Sequence, residues 1–218
     1  MKLLSGKIHL SATDLSNHLG CRHLTELNKL VAFGKLGKPD WVDPALVVLA
    51  KRGSEHEAVY VNHLKNSGKN VVNLNGLGHG ATEEAMKRGE DVIVQAELSG
   101  AQWTGRADIL LKIPCVSNLG NWSYEVQDTK LSRNTRASTI LQLSFYSDML
   151  QQIQGKEPEF MHVVKPGDPF SVETFRFPDF RAYYRLTKQA LSAVIDGDPC
   201  YTYPEPVGQC DICSWWKQ

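Results

Sequence analysis

The chain has 218 residues, and its 24 basic and 24 acidic side chains give a formal net charge of zero. This balance argues against a protein that coats nucleic acid indiscriminately, although a local basic surface and a local acidic cluster cancel in such a total. No apolar run approaches the roughly 18 residues of a membrane helix, and the N-terminus lacks a signal-peptide core, so we expect no membrane partner and a cytoplasmic location.

Residues 1–68 are predicted to form a helical N-terminal part. A first helix begins at Ser11 or Thr13 and runs to Val31, because leucines recur at helical spacing up to the GKLGKP sequence at 34–39. A second helix begins at Pro44, since proline is favoured in a first helical turn, and ends before the NSGK sequence at 66–69.

Residues 69–178 are predicted to form an α/β core with a mixed sheet. Strands are expected at 70–74, 91–98, 102–113, 122–129, 160–165 and 170–177, and the second and third of them read as a hairpin. Helices are expected from near Thr82 and over 135–154. The glycine cluster at 76–80 lacks the spacing of a phosphate-binding loop and is interpreted as a turn. Residues 179–218 then hold a final helix at 181–195 and a cysteine-containing tail, and the whole chain is interpreted as one domain.

The strand at 122–129 carries the strongest chemical signal. Asp128 and Lys130 lie two residues apart and project to the same side of an extended chain. Charges at the rim of a core are costly unless they pair with each other or bind a metal ion. If the preceding strand pairs with this one, Asp108 joins Asp128, and the two carboxylates suit Mg²⁺. The alternative is a structural Asp–Lys ion pair.

These residues resemble the RecB-like branch of the PD-(D/E)xK nuclease superfamily. The likeness rests on the GRAD sequence ending at Asp108, the strand ending in Asp128-Thr129-Lys130, and a QxxxY sequence on the next helix. It implies a restriction-endonuclease-like core with a mixed central sheet flanked by helices, preceded by the N-terminal helical segment. It also implies that both carboxylates and the carbonyl of Thr129 bind Mg²⁺ or Mn²⁺, and that Lys130 is catalytic.

The same resemblance implies further site residues on two helices. Gln142 and Tyr146 would lie near DNA. Arg106, Arg133 and Arg136 are further candidates for binding flanking phosphates. The family also carries a metal-binding histidine on an earlier helix. His56 is favoured for this role, although Glu57 falls at the commoner spacing and stays the rival. Adjacent helical residues point about 100° apart, so we expect only one of these two to be a ligand.

Five cysteines in a chain without a secretion signal argue against a disulfide framework. The chain resembles CRISPR-adaptation exonucleases and nuclease parts of helicase–nucleases, in which one cysteine before the core and three after it hold a [4Fe-4S] cluster. Cys21, Cys210 and Cys213 match three of those positions. The fourth ligand falls due just beyond residue 218, so a natural C-terminal extension is expected. Cys115 and Cys200 are interpreted as ordinary small apolar residues.

The resulting hypothesis is a metal-dependent deoxyribonuclease acting on single strands or DNA ends, in repair, recombination or CRISPR-type DNA processing, with a helicase as a candidate partner. One alternative is a non-catalytic DNA-binding or iron–sulfur module of a larger helicase–nuclease. Another is a redox or zinc-binding protein that uses Cys210 and Cys213, with His18 or His23 as a further zinc ligand.

Overall fold

A small hairpin opens the chain, ahead of the predicted helices. The computed structural model describes residues 1–167, 169–198 and 200–216, and its hairpin consists of β1 (Lys2–Leu4) and β2 (Lys7–His9). Leu10 is fully buried, and its backbone amide and carbonyl bond to Gln102 and Thr104 of the large sheet. Three-residue strands are too short to show a period in the sequence, so the hairpin was not predicted.

The prediction of one helix ending at Val31 is wrong, because the chain forms α1 (Ala12–Gly20) and α2 (Arg22–Ala32). Cys21 separates them in an extended conformation, with φ of −160° and ψ of 110°. Its amide closes α1, and its Sγ accepts the amide of Leu24 at 3.4 Å, so one cysteine ends one helix and caps the next. By contrast, α3 (Pro44–Asn66) has the predicted limits.

The described residues contain a mixed six-stranded sheet, which confirms the predicted fold class. Its strands lie in chain order as β3 (Val71–Asn73), β4 (Val92–Gly100), β5 (Trp103–Ile113), β6 (Ser123–Thr129), β7 (Phe160–Lys165) and β8 (Ser171–Arg176). The pairs β3–β4 and β6–β7 are parallel and the others are antiparallel. Each parallel pair needs a crossover, which α4 (Gly78–Arg88) and α5 (Ala137–Gln154) supply.

Helices cover both faces of this sheet. On one face, α3 contributes Tyr60, Val61 and Leu64 to a small core with β4, β5 and β7. The larger core on the other face includes buried residues of α1, α4, α5 and α6 (Phe177–Asp196). Central strand β6 is consequently buried along its whole length. Charged side chains are rarely buried in this way unless they are paired. The helices α4 and α6 begin four residues earlier than predicted.

The chain after α6 returns to the N-terminal helices. Lys29 of α2 is buried and donates to the carbonyls of Val194 and Gly197 at 2.7 and 2.6 Å, at the end of α6 where helix carbonyls lack partners. A short 3-10 helix, Gly208–Ile212, then brings Gln209 to α1, where its amide donates to Asn17 at 3.1 Å. Every helix of the described chain is too short or too polar to cross a membrane.

Candidate active site

The two predicted carboxylates lie opposite each other on neighbouring strands. β5 and β6 are antiparallel, with Ile109 opposite Gln127, and the same register brings Asp108 opposite Asp128 one step further along. Cross-strand neighbours project to the same face of a sheet, so the two side chains meet. The backbone amide of Thr129 donates to Asp108 Oδ2 at 3.3 Å, which fixes the first carboxylate against the end of β6.

Asp128 is buried, with 1% of its side chain exposed. Lys130 Nζ lies 2.6 Å from Asp128 Oδ2, so the ammonium group and the buried carboxylate form an ion pair. The other oxygen, Oδ1, receives a long contact of 3.5 Å from Gln142 Nε2.

The electrostatics of the site leave negative charge only partly compensated. Burial first, and then the neighbouring charge of Asp108, raise the pKa of Asp128 to about 7, although Lys130 acts in the opposite direction. Two carboxylates that share a buried position repel each other unless a cation or a proton intervenes. The two facing carboxylates offer oxygen ligands of the kind that Mg²⁺ or Mn²⁺ prefers, although no third His, Cys, Asp or Glu side chain of the described residues lies close enough to complete a set of three.

Gln142 and Tyr146 reach this site from one face of α5. Tyr146 is 5% exposed, and burial raises the pKa of its hydroxyl to about 12. A hydrogen bond with Gln142 opposes that rise, and the charges of Asp108 and Asp128 add to it. The QxxxY pair therefore lies within electrostatic reach of both carboxylates.

The pKa of Glu57, a residue of α3, responds to the charge of Asp108. Burial raises the pKa of Glu57, with Asp108 adding to the rise and with Arg106 and Lys130 opposing it. His56 Nε2 instead lies 3.5 Å from the carbonyl oxygen of Val164, which also accepts the backbone amide of Lys130. Both residues border the site, and the carboxylate of Glu57 interacts with the charge of Asp108.

Gln95 is a residue of this site that the sequence did not identify. The β4–β5 register brings it opposite Asp108, and its side-chain amide donates to Glu57 Oε1 at 2.6 Å. Its backbone has a φ of +56°, a left-handed conformation that non-glycine residues rarely adopt within a strand. Strained backbone of this kind is enriched at functional sites. The one signal in the sequence is a polar residue within the otherwise apolar run VIVQA.

Two of the predicted DNA-binding arginines lie on different sides of the site. Arg106 on β5 is exposed and donates to Asn75 Oδ1 at 3.3 Å, beside the glycine-rich turn that precedes α4. Arg136 immediately precedes α5 and lines a cavity of about 310 Å³ that Lys130 and Gln142 also line. Arg136 therefore shares a surface with the candidate catalytic residues.

The three predicted cluster cysteines line one cavity remote from this site. Cys21, Cys210 and Cys213 border a space of about 450 Å³ together with His23, whose Nδ1 lies 2.8 Å from the hydroxyl of Thr202. At this cavity too, no three His, Cys, Asp or Glu side chains of the described residues are close enough to hold a single metal ion. His18 is buried against Thr25 and does not line the cavity.

No family model and no curated protein matches this sequence. Two solved structures align with most of the chain at low identity. The crystal structure of SSO0001 is 13% identical with a TM-score of 0.48, and the alignment covers 98% of this chain and 87% of that one. The structure of a "Putative exonuclease" from Eubacterium rectale is 14% identical with a TM-score of 0.47, covering 97% and 98% of the two chains.

Proposed function

We propose that this chain is a Mg²⁺- or Mn²⁺-dependent nuclease that hydrolyses phosphodiester bonds in DNA. The observation that carries the proposal is the buried carboxylate of Asp128, which faces Asp108 and lies 2.6 Å from Lys130. A purely structural ion pair would gain more from an exposed position or from complete hydrogen bonding, because burying incompletely satisfied charge is costly.

The candidate metal ligands are Asp108, Asp128 and the carbonyl of Thr129, with Glu57 as the preferred fourth ligand and His56 as its rival. A divalent cation held there polarises a phosphate oxygen and makes bound water more acidic. Among the protein groups, Lys130 is the best placed to stabilise the reaction, since 34% of its side chain is exposed and its Nζ can reach a substrate oxygen. Water attacks phosphorus and releases a proton to solvent, the bond to the leaving oxygen breaks, and that oxygen takes up a proton from solvent.

Gln142 supports this assignment from α5. Its amide nitrogen contacts Asp128 Oδ1. The amide oxygen is then able to accept a hydrogen bond from the attacking water or from a nucleobase of the substrate. Positioning of this kind lowers the barrier by fixing the reacting groups before the reaction begins. The substrate class that the resemblance favours is single-stranded DNA or DNA ends, and a helicase is the corresponding candidate partner.

The proposal is tested with end-labelled single-stranded DNA, duplex DNA and RNA, incubated with Mn²⁺ or with chelator under single-turnover conditions. Asp108→Ala and Lys130→Ala should each reduce cleavage by on the order of 10²-fold or more while oligonucleotide binding persists. Asp91 and Lys112 provide the matched control, because they form an ion pair of the same 2.6 Å length on the same sheet. Wild-type rates in both site variants would show that these residues are not the active site, and no cleavage of any substrate would favour a non-catalytic DNA-binding module.

The cysteine cavity supports a second proposal, that Cys21, Cys210 and Cys213 contribute to an iron–sulfur cluster. Such a cluster, when bound, would join the α1–α2 junction to the tail after α6, and so close nearly the whole chain as a loop. Its role would be structural, since the cavity-lining residues do not include the candidate nuclease residues.

A further inference from the structure

The cavity beside Lys130 lies between α1 and the beginning of α5 and measures about 310 Å³. It touches the candidate catalytic residues at one end, through Lys130 and Gln142. Its remaining wall comes from α1, from the loop that follows β6, and from the first turn of α5. The residues on which the inference rests are Thr13, Ser16, Lys130, Ser132, Arg136 and Thr139.

The wall of this cavity offers hydrogen-bond donors and positive charge. Lys130 and Arg136 supply an ammonium and a guanidinium group, and the other four residues named above supply hydroxyls. Within the described chain, no aspartate or glutamate lines the cavity. Lys130 is also paired with Asp128, so Arg136 and the hydroxyls are the groups that favour an anion over a cation or a neutral apolar group in this space.

The first turn of α5 adds donors that point to the same kind of ligand. Arg136 occupies the N-cap position without a side-chain cap, and the amides of Ala137 and Ser138 have no acceptor among the described residues. Thr139 is 6% exposed, lines the cavity, and makes no side-chain hydrogen bond within the described chain. Its hydroxyl oxygen is open to the cavity rather than sealed in the core, so it can donate to an acceptor bound there.

We propose that this cavity is a phosphate subsite that binds a phosphate group of the substrate strand next to the bond that is cleaved. The phosphate is either the terminal phosphate of a strand end or an internal diester, and both present the same oxygen acceptors to Arg136, Thr139 and the α5 amides. The inference rests on the proposed nuclease function, because Lys130 borders both the subsite and the acidic pair.

The test measures equilibrium binding of labelled oligonucleotides to chelator-treated protein, in which cleavage does not interfere. Arg136→Ala should weaken binding by roughly tenfold and lower the salt slope of log K by about 1, and Thr139→Val should weaken binding several-fold. Arg185→Ala is the matched control, because Arg185 is an exposed arginine on α6 that does not line the cavity. It should change binding less than twofold.

Three oligonucleotides distinguish the source of the phosphate: one with a 5′-phosphate, one with a 3′-phosphate and one with neither. A loss confined to one phosphorylated end identifies a terminal phosphate, whereas an equal loss for all three identifies an internal diester. Wild-type affinity and salt dependence in both variants would overturn the subsite even if the protein cleaves DNA with Mn²⁺. Arg136-dependent binding without cleavage by the wild-type protein would instead overturn the nuclease proposal and retain the subsite.

Discussion

Gly105 on β5 lies so close to Tyr146 on α5 that a β-carbon at residue 105 would sit 2.7 Å from Cε1 of the tyrosine ring. The same β-carbon would be 2.8 Å from Cε1 of Phe145. Both distances are shorter than real β-carbon contacts, and neither ring is a flexible chain end that can move aside. The glycine of the GRAD sequence therefore allows α5 to approach the sheet closely enough for Gln142 to reach Asp128.

Gly105→Ala should consequently destabilise the protein and disturb the site at the same time. We expect the free energy of unfolding to fall by about 1–3 kcal/mol, as overpacking does in a filled core, and any cleavage activity to fall more than stability alone explains. Urea unfolding followed by circular dichroism measures the first effect. Gly37→Ala is the control, because nothing lies within 4 Å of its added β-carbon. Equal stability of the two variants would contradict this account of Gly105.

We expect Asp128 to give the metal-free protein an unusual dependence of its free energy of unfolding on pH. Its pKa is raised from 3.8 to about 7, first by burial, so the folded state binds the proton more tightly than the unfolded state does. This contribution is complete below about pH 4 and is lost as the pH rises towards about 7. Relative to Asp128→Asn, the wild-type protein should therefore lose on the order of 1 kcal/mol or more between about pH 5 and about pH 8.

Urea midpoints at those two pH values, in the presence of chelator, provide the measurement. Asp91→Asn is the control, since hydrogen bonding to Lys112 lowers the pKa of Asp91, and its stabilising effect is lost only as the pH falls below that range. A stability difference between wild type and Asp128→Asn that does not change with pH would show that Asp128 is not held in a protonated form.

Much of the fold followed from local patterns, whereas the site needed contacts between distant segments. The strands of the hairpin β4–β5 were predictable because long apolar runs were separated by turn residues. The common side of Asp128 and Lys130 was also predictable, because residues two apart in a strand project to the same face. The break at Cys21 was not predictable, since leucines continue at helical spacing across it. Nor was the position of Gln95 opposite Asp108, because the left-handed backbone there is imposed by tertiary structure rather than by residue preference.

Cys21 should be required for iron binding if the cysteine cavity holds a cluster. After anaerobic reconstitution with iron and sulfide, we expect visible absorbance and bound iron in a form of the chain that carries a fourth cysteine after residue 218, and loss of both in Cys21→Ser of that form. Cys115→Ser is the control, because Cys115 is also half-buried but does not line the cavity. Proteolysis should release the tail after α6 more readily from Cys21→Ser, since the cluster would no longer join it to α1. Iron content that is unaffected by Cys21→Ser would exclude this cysteine as a ligand.

Glu57 should contribute more to metal binding than His56 does. The carboxylate of Glu57 interacts with the charge of Asp108, whereas the imidazole of His56 lies against the carbonyl of Val164. A cation that binds only the folded state raises the melting temperature in proportion to the logarithm of its concentration relative to Kd. Glu57→Gln should therefore reduce the Mn²⁺-induced rise in melting temperature strongly, with Kd for Mn²⁺ weakened by about 10- to 100-fold, the range seen when groups around a metal site are removed.

His56→Ala tests the alternative, and Glu55→Gln serves as the matched control because Glu55 is an exposed carboxylate on the same helix. We expect His56→Ala to weaken Mn²⁺ binding less than Glu57→Gln, and Glu55→Gln to leave it unchanged. Glu57→Gln also keeps a side chain of the same size, so its contact with Gln95 is preserved in shape while the negative charge is removed. A larger loss of Mn²⁺ affinity in His56→Ala than in Glu57→Gln would make the histidine the ligand, and the raised pKa of Glu57 would then reflect its burial alone.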